Sequence, residues 1–102
     1  MMIPFKYFEF WDVPRVIMIS YHDQDFLLES YFDEAIDDYP DDYAITLVAP
    51  GLEQRIRESS WTVLAEIERR PLGTIPVREV VFDETRRKYL DPVFLDKYFP
   101  NR

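Results

Sequence analysis

The chain has 102 residues, 20 of them acidic and 12 basic, giving a net charge of −8 and an isoelectric point near 4.5. A hydrophobic fraction of 47% and an aromatic fraction of 17% supply the apolar surface of a packed core, which excludes a disordered acidic tail and fits a single domain over residues 1–102. The absence of cysteine excludes disulfides and thiolate chemistry, and the charge opposes nucleic acids and anionic membranes, whose phosphates would repel it.

Phe5 to Trp11 is aromatic throughout, interrupted by Lys6 and Glu9, and is predicted as a strand. Asp12-Val13-Pro14 is a turn signal. Arg15 to Tyr21 is β-branched and nearly continuous in apolarity, which suits a central strand buried on both faces. His22 to Asp25 reads as a loop. Phe26 to Phe32 reads as a third strand, with Phe26, Leu28 and Phe32 on one face and Leu27, Glu29 and Tyr31 on the other. Three sequential strands joined by short turns predict an antiparallel meander.

Asp33 to Asp42 is too acidic for a strand interior; Asp33 is predicted to N-cap one helical turn, with Glu34 and Asp37 near its positive end, and Pro40 ends it. Tyr43 to Val48 is predicted as a fourth strand with Tyr43, Ile45 and Leu47 on one face, closed by Pro50-Gly51. Leu52, Ile56, Val63 and Ile67, with Leu64 beside them, make one apolar stripe of a helix from Leu52 to Arg70. Ser59 and Ser60 sit in its middle and compete for the backbone, so a short helix followed by a second one capped by either serine is the alternative. Ile75 to Asp83 is predicted as a fifth strand. Pro92 to Phe99 repeats an apolar pattern over one or two helical turns.

The expected fold is therefore α+β: an antiparallel sheet of four to five strands in a meander, one main helix packed on it and a short C-terminal helix. The expected core comprises Val16, Ile17, Met18, Ile19, Phe26, Leu28, Phe32, Ile45, Leu47, Val63, Ile67, Val80 and Phe82. Apolar runs reach only four residues, far short of the ~20 that span a bilayer, and the start meets Glu9 and Asp12 too early for a signal peptide, so a cytoplasmic location is expected.

Chemistry-bearing residues are few. His22 is the only histidine; a base oriented by a neighbouring carboxylate is weighed against a surface histidine at a strand end, and the second is preferred because no partner motif accompanies it. Ser59 and Ser60 lack a nucleophile elbow. Asp37, Asp38, Asp41 and Asp42 are hard oxygen donors, but their spacing matches no calcium loop and the glycine such a loop needs at its turn is missing. No catalytic residue, metal site or cofactor is assigned.

Charge asymmetry is the strongest signal. From Val16 to Gln54 there is no lysine or arginine and there are ten carboxylates; the first 54 residues hold 12 acidic against 2 basic, the remaining 48 hold 8 against 10. Tyr31, Tyr39 and Tyr43 accompany that acidic stretch, and tyrosine gives large contact area at low entropic cost. The expected partner-binding residues are Tyr31, Asp33, Glu34, Asp37, Asp38, Tyr39, Asp41, Asp42 and Tyr43, and the expected partner is a protein with a basic surface. In composition the chain resembles small acidic bacterial inhibitors and toxin-immunity proteins, which implies a non-enzymatic binder imitating the phosphates of a nucleic acid. Two competing readings are a homo-oligomer in which the acidic half of one copy meets Arg55, Arg57 or Arg86 to Lys88 of another, and a small hydrolase using His22 and nearby carboxylates.

Overall fold

The computed structural model describes residues 3–11, 13–21, 23–82 and 89–91. The expectations for His22, for Arg86 to Lys88 and for a C-terminal helix at Pro92 to Phe99 lie outside them. In chain order the described strands are β1 (Ile3–Pro4), β2 (Lys6–Trp11), β3 (Val13–Tyr21), β4 (Gln24–Glu29), β5 (Asp42–Val48), β6 (Arg70–Pro76), β7 (Val81–Phe82) and β8 (Tyr89–Asp91), with helix α1 (Leu52–Ser59) between β5 and β6. Strands β2 to β6 form one sheet in sequence order, every pair antiparallel, which is the expected meander with five strands. Strands β1, β8 and β7 form a second, smaller antiparallel sheet.

The apolar continuity of β3 is explained by cover on both faces: Val13 to Ile19 are all buried. On one face Val16, Met18, Leu27 and Val48 pack under Leu52 and Ile56 of α1 and under Val63 and Leu64 of a 3-10 turn, Trp61–Ala65. On the other, Ile17, Ile19, Phe26, Leu28, Tyr43, Ile45 and Ile75 pack against Phe5, Val80 and Leu90. Each such aliphatic or aromatic side chain, fully buried, contributes about 1.5–3 kcal/mol, so two cores on one sheet supply most of the driving force. Of the expected core, Leu47 and Ile67 are only partly buried, Phe32 is exposed, and the Phe82 side chain lies outside what is described.

The expected helix is shorter than its apolar stripe. α1 ends at Ser59; Ser60 turns to φ 63° while its N–H still donates to the Ile56 carbonyl at 2.7 Å, and the 3-10 turn follows. Serine at this point favours local bonding over helix continuation, so the break expected as the alternative is the one formed, with a 3-10 turn in place of a second α-helix. The stripe residues Leu52, Ile56, Val63 and Leu64 still reach one core. Pro71 biases Arg70 toward extended backbone, and β6 starts there. Its register slips between Ile45 and Thr46, which pair with Gly73 and Pro71, so Leu72 is an extra residue beside Gly73 at φ 150°. The expected fifth strand from Ile75 to Asp83 is split: Ile75 and Pro76 finish β6, a 3-10 turn occupies Val77–Glu79, and Val81 and Phe82 form β7 in the other sheet.

Candidate functional site

The chain leaves the sheet after Glu29 and re-enters at Asp42, and residues 31–38 in between are all exposed. The acidic stretch is a compact loop. The Asp33 N–H donates to the Asp38 carbonyl at 2.9 Å and the Asp38 N–H returns to the Asp33 carbonyl at 3.3 Å, closing a bridge around Glu34 to Asp37. The Ile36 N–H also donates to the Asp33 carbonyl, at 3.2 Å, and the Ala35 N–H to Asp33 Oδ1, at 2.9 Å. Asp37 adopts φ 54°, a left-handed conformation that aspartate tolerates better than most residues. Asp33 thus anchors a tight turn through its side chain, in place of the helical turn expected, because the 33–38 bridge closes the loop before a helix can propagate.

The root of the loop is braced from three directions. Glu29 is 6% exposed, and Arg69 grips it with Nε to Oε1 at 2.8 Å and Nη2 to Oε2 at 3.1 Å. The Tyr31 hydroxyl donates to the same Oε2. Burial first, then the hydrogen bond to Glu29 and its negative charge, push the Tyr31 hydroxyl above its ordinary value, so it stays a donor. The hydrogen bond to Glu29 likewise raises Arg69, which stays a cation. On the second side, buried Arg15 donates from Nη1 to Ser30 Oγ at 3.2 Å and lies 4.3 Å from the centroid of the Tyr39 ring. Ser30 Oγ donates in turn to the Pro40 carbonyl at 3.4 Å, and Tyr39 meets Phe32 edge-on at 5.6 Å. On the third, the Val77 N–H holds the Asp41 carbonyl at 2.8 Å.

Eight of the nine expected partner-binding residues come together. Asp33, Glu34, Asp37, Asp38, Asp41 and Asp42 are exposed, and none is in an ion pair among the described residues. Tyr31 is 48% exposed and Tyr39 is half-buried over Arg15. Tyr43 is a correction: it is fully buried, its hydroxyl donating to the Pro14 carbonyl at 2.6 Å. Strand alternation puts it on the same face as Ile45, inside the core, so it cannot touch a partner.

The face also holds residues that sequence reasoning placed elsewhere. Phe32, expected in the core, is 50% exposed, because β4 ends at Glu29, the Ser30 N–H makes a last bond to the Arg15 carbonyl at 2.8 Å, and the chain then leaves the sheet. Ile36 is 57% exposed at the turn. The spacing Phe26, Leu28, Phe32 skips the core position of Ser30, and that polar gap was the available signal that the strand had ended. Nothing local foretold the clasp of Glu29 by a residue 40 positions away.

At the other end of β4 and β5 lies a groove of about 760 Å³, lined by apolar Val48, Leu52 and Ile67 together with charges of both signs, among them Asp25, Glu68 and Arg55. Among the described residues no group of three histidine, cysteine or carboxylate side chains is placed to hold a metal, and no helix is long and apolar enough to cross a membrane. Comparison with known proteins finds no matching family model, no matching curated protein and no matching solved structure.

Proposed function

We propose that this chain is a non-enzymatic binding protein that captures a basic protein surface with the face formed by Tyr31, Asp33, Glu34, Asp37, Asp38, Tyr39, Asp41 and Asp42. The observation that supports this most is the exposure of Tyr31, Phe32 and Ile36 among six carboxylates that have no ion-pair partner among the described residues, on a loop whose root is fixed. Large apolar side chains held in water are candidates for anchors, and exposed carboxylates around them attract cations from a distance and select against acidic partners. A braced loop loses little conformational freedom on docking. The partner's complementary surface would carry lysines or arginines around an apolar recess. A nucleic-acid-acting protein has such a surface.

The test separates charge from contact. Replacing Asp37, Asp38, Asp41 and Asp42 together with asparagine should leave the fold intact and slow association with the partner recovered by pull-down from host lysate, most clearly at low salt. Phe32→Ser should leave stability within about 1 kcal/mol of the parent, since half of the ring is already in water, and should speed dissociation. A partner whose association and dissociation rates ignore both changes would show that the loop only solubilises the protein.

A further inference from the structure

The groove beside Val48 and Leu52 collects charges of both signs that do not pair with one another. Asp23, Asp25, Glu66 and Glu68 line it, and so do Arg55, Arg69 and Arg70. Among the described residues only Arg69 of these is in an ion pair, and its partner, Glu29, does not line the groove. Arg69 gives Nε and Nη2 to Glu29 and Nη1 to the Ile67 carbonyl at 3.5 Å, so its nitrogens are engaged. Asp25 accepts a hydrogen bond from Ser20 Oγ at Oδ1, at 2.7 Å, which leaves Oδ2 for another donor. Arg55 and Arg70 are exposed, and neither has an ion-pair partner among the described residues.

The sheet sets these charges at a defined separation. Asp25 on β4 pairs with Val48 of β5, and Arg70 on β6 pairs with the preceding Leu47, so β5 runs between the two. Two strand spacings put them about 10 Å apart. Half-buried Leu47 of β5 and exposed Ala49 and Pro50 just after it add apolar surface to the groove, as does half-buried Ile67. The volume of about 760 Å³ falls within the roughly 300–1,000 Å³ usual for small-molecule sites. An extended chain advances about 3.3–3.6 Å per residue, so the ammonium and carboxylate of a free tripeptide also stand about 10 Å apart.

We propose that this groove binds a short apolar peptide with both termini free. Asp25, with Asp23 two residues before it, takes the ammonium; Arg70 and Arg55 take the carboxylate; Leu47, Pro50 and Ile67 meet the side chains. Charge complementarity argues for this occupant. A simple anion entering the groove meets four carboxylates, and a simple cation meets guanidinium groups that no carboxylate neutralises. A molecule that carries both charges, spaced as they are here, satisfies both sets, and its apolar body covers the surface between them. No residue from Asp33 to Asp42 lines the groove, so the site is separate from the face proposed to bind a protein.

The test uses trileucine, free at both ends, against the same peptide N-acetylated, C-amidated or capped at both ends. Each is titrated into the isotopically labelled chain while amide chemical shifts are followed. The free peptide should move amides at the start of β4, the end of β5 and residues 66–70 at millimolar concentration. Each cap should weaken binding by about fivefold, and both caps together by more. Arg55→Gln combined with Arg70→Gln should bind the free and amidated peptides alike while still preferring a free ammonium. Asp23→Asn combined with Asp25→Asn should show the reverse. Circular dichroism confirms folding; if a combined variant unfolds, Arg70→Gln or Asp25→Asn alone is measured in its place and should lose part of the same preference. The proposal is overturned by a free peptide that moves no amide of the groove, by capped peptides that bind as tightly as the free one, or by variants that keep the full preference for both termini.

Discussion

Arg69→Met isolates the clasp at the root of the acidic loop. The substitution removes two N–H donors, at 2.8 and 3.1 Å, from a carboxylate that is 6% exposed, while keeping the aliphatic stem. Hydrogen bonds to charged groups contribute roughly 1.5–3 kcal/mol each, and stripping one partner from a buried pair costs roughly 3–5 kcal/mol. The Arg69 side chain is 28% exposed, so water can partly replace it, and the expected loss is about 2–3 kcal/mol. The companion variant, Glu29→Leu with Arg69→Met, removes both charges; an ion pair replaced by apolar groups of similar volume is often neutral, so stability should return to within about 1 kcal/mol of the parent. Tyr31 loses its acceptor in that variant, but its ring is half in water and its hydroxyl can bond to solvent. Urea unfolding followed by tryptophan fluorescence reads both values, provided the slope with denaturant is unchanged. A single substitution costing under about 0.5 kcal/mol, or a double one no better than the single, would refute the idea that an uncompensated buried carboxylate is what the clasp prevents.

Thr46 is buried and its hydroxyl has no partner among the described residues, so Thr46→Val, which keeps the branched shape, should raise stability by about 1 kcal/mol in the same urea assay; a loss instead would mean the hydroxyl is satisfied. Because the folded chain holds the Tyr31 proton more tightly than the unfolded chain, the stability this group contributes is complete below the ordinary tyrosine value of about 10 and is lost as pH rises toward the folded-state value. Stability measured between about pH 8 and 11 should therefore fall more steeply for the parent than for Tyr31→Phe, and parallel curves would contradict the assignment.

What could be read from the sequence follows from how local each determinant is. β3 was legible because burial on both faces writes an unbroken apolar run, and β5 because alternation placed Tyr43 and Ile45 on one side. The same alternation argues against Tyr43 as a partner-binding residue, since a tyrosine sharing a strand face with Ile45 shares its burial. The helix break was legible in Ser59-Ser60, and the end of the helical region in the Arg70-Pro71 step, whose proline opens β6. Phe32 misled because an apolar residue at strand spacing looks the same whether the strand continues or has stopped; what decides is that the chain leaves the sheet once the Ser30 N–H has made its last bond to the Arg15 carbonyl, a tertiary contact. The exposure of the six loop carboxylates follows from their charge alone, whereas Arg15, Glu29 and Arg69, which shape the loop, carry no local mark of that role.

The clasp also sets a schedule. Neighbouring strands of a meander find each other over short loops, so β2 to β5 can pair as soon as each has been made. Arg69 comes 40 residues after the carboxylate it grips, beyond β5, α1 and the 3-10 turn. A growing chain that has already emitted all six carboxylates and the exposed rings of the loop therefore lacks the residue that locks them in place, and meanwhile presents the face as a pliable, sticky segment. The shaped face exists only once the last strand of the sheet is within reach. Truncation before Arg69 thus leaves the Glu29 carboxylate without its clasp, while most of the hairpins that precede it remain free to form.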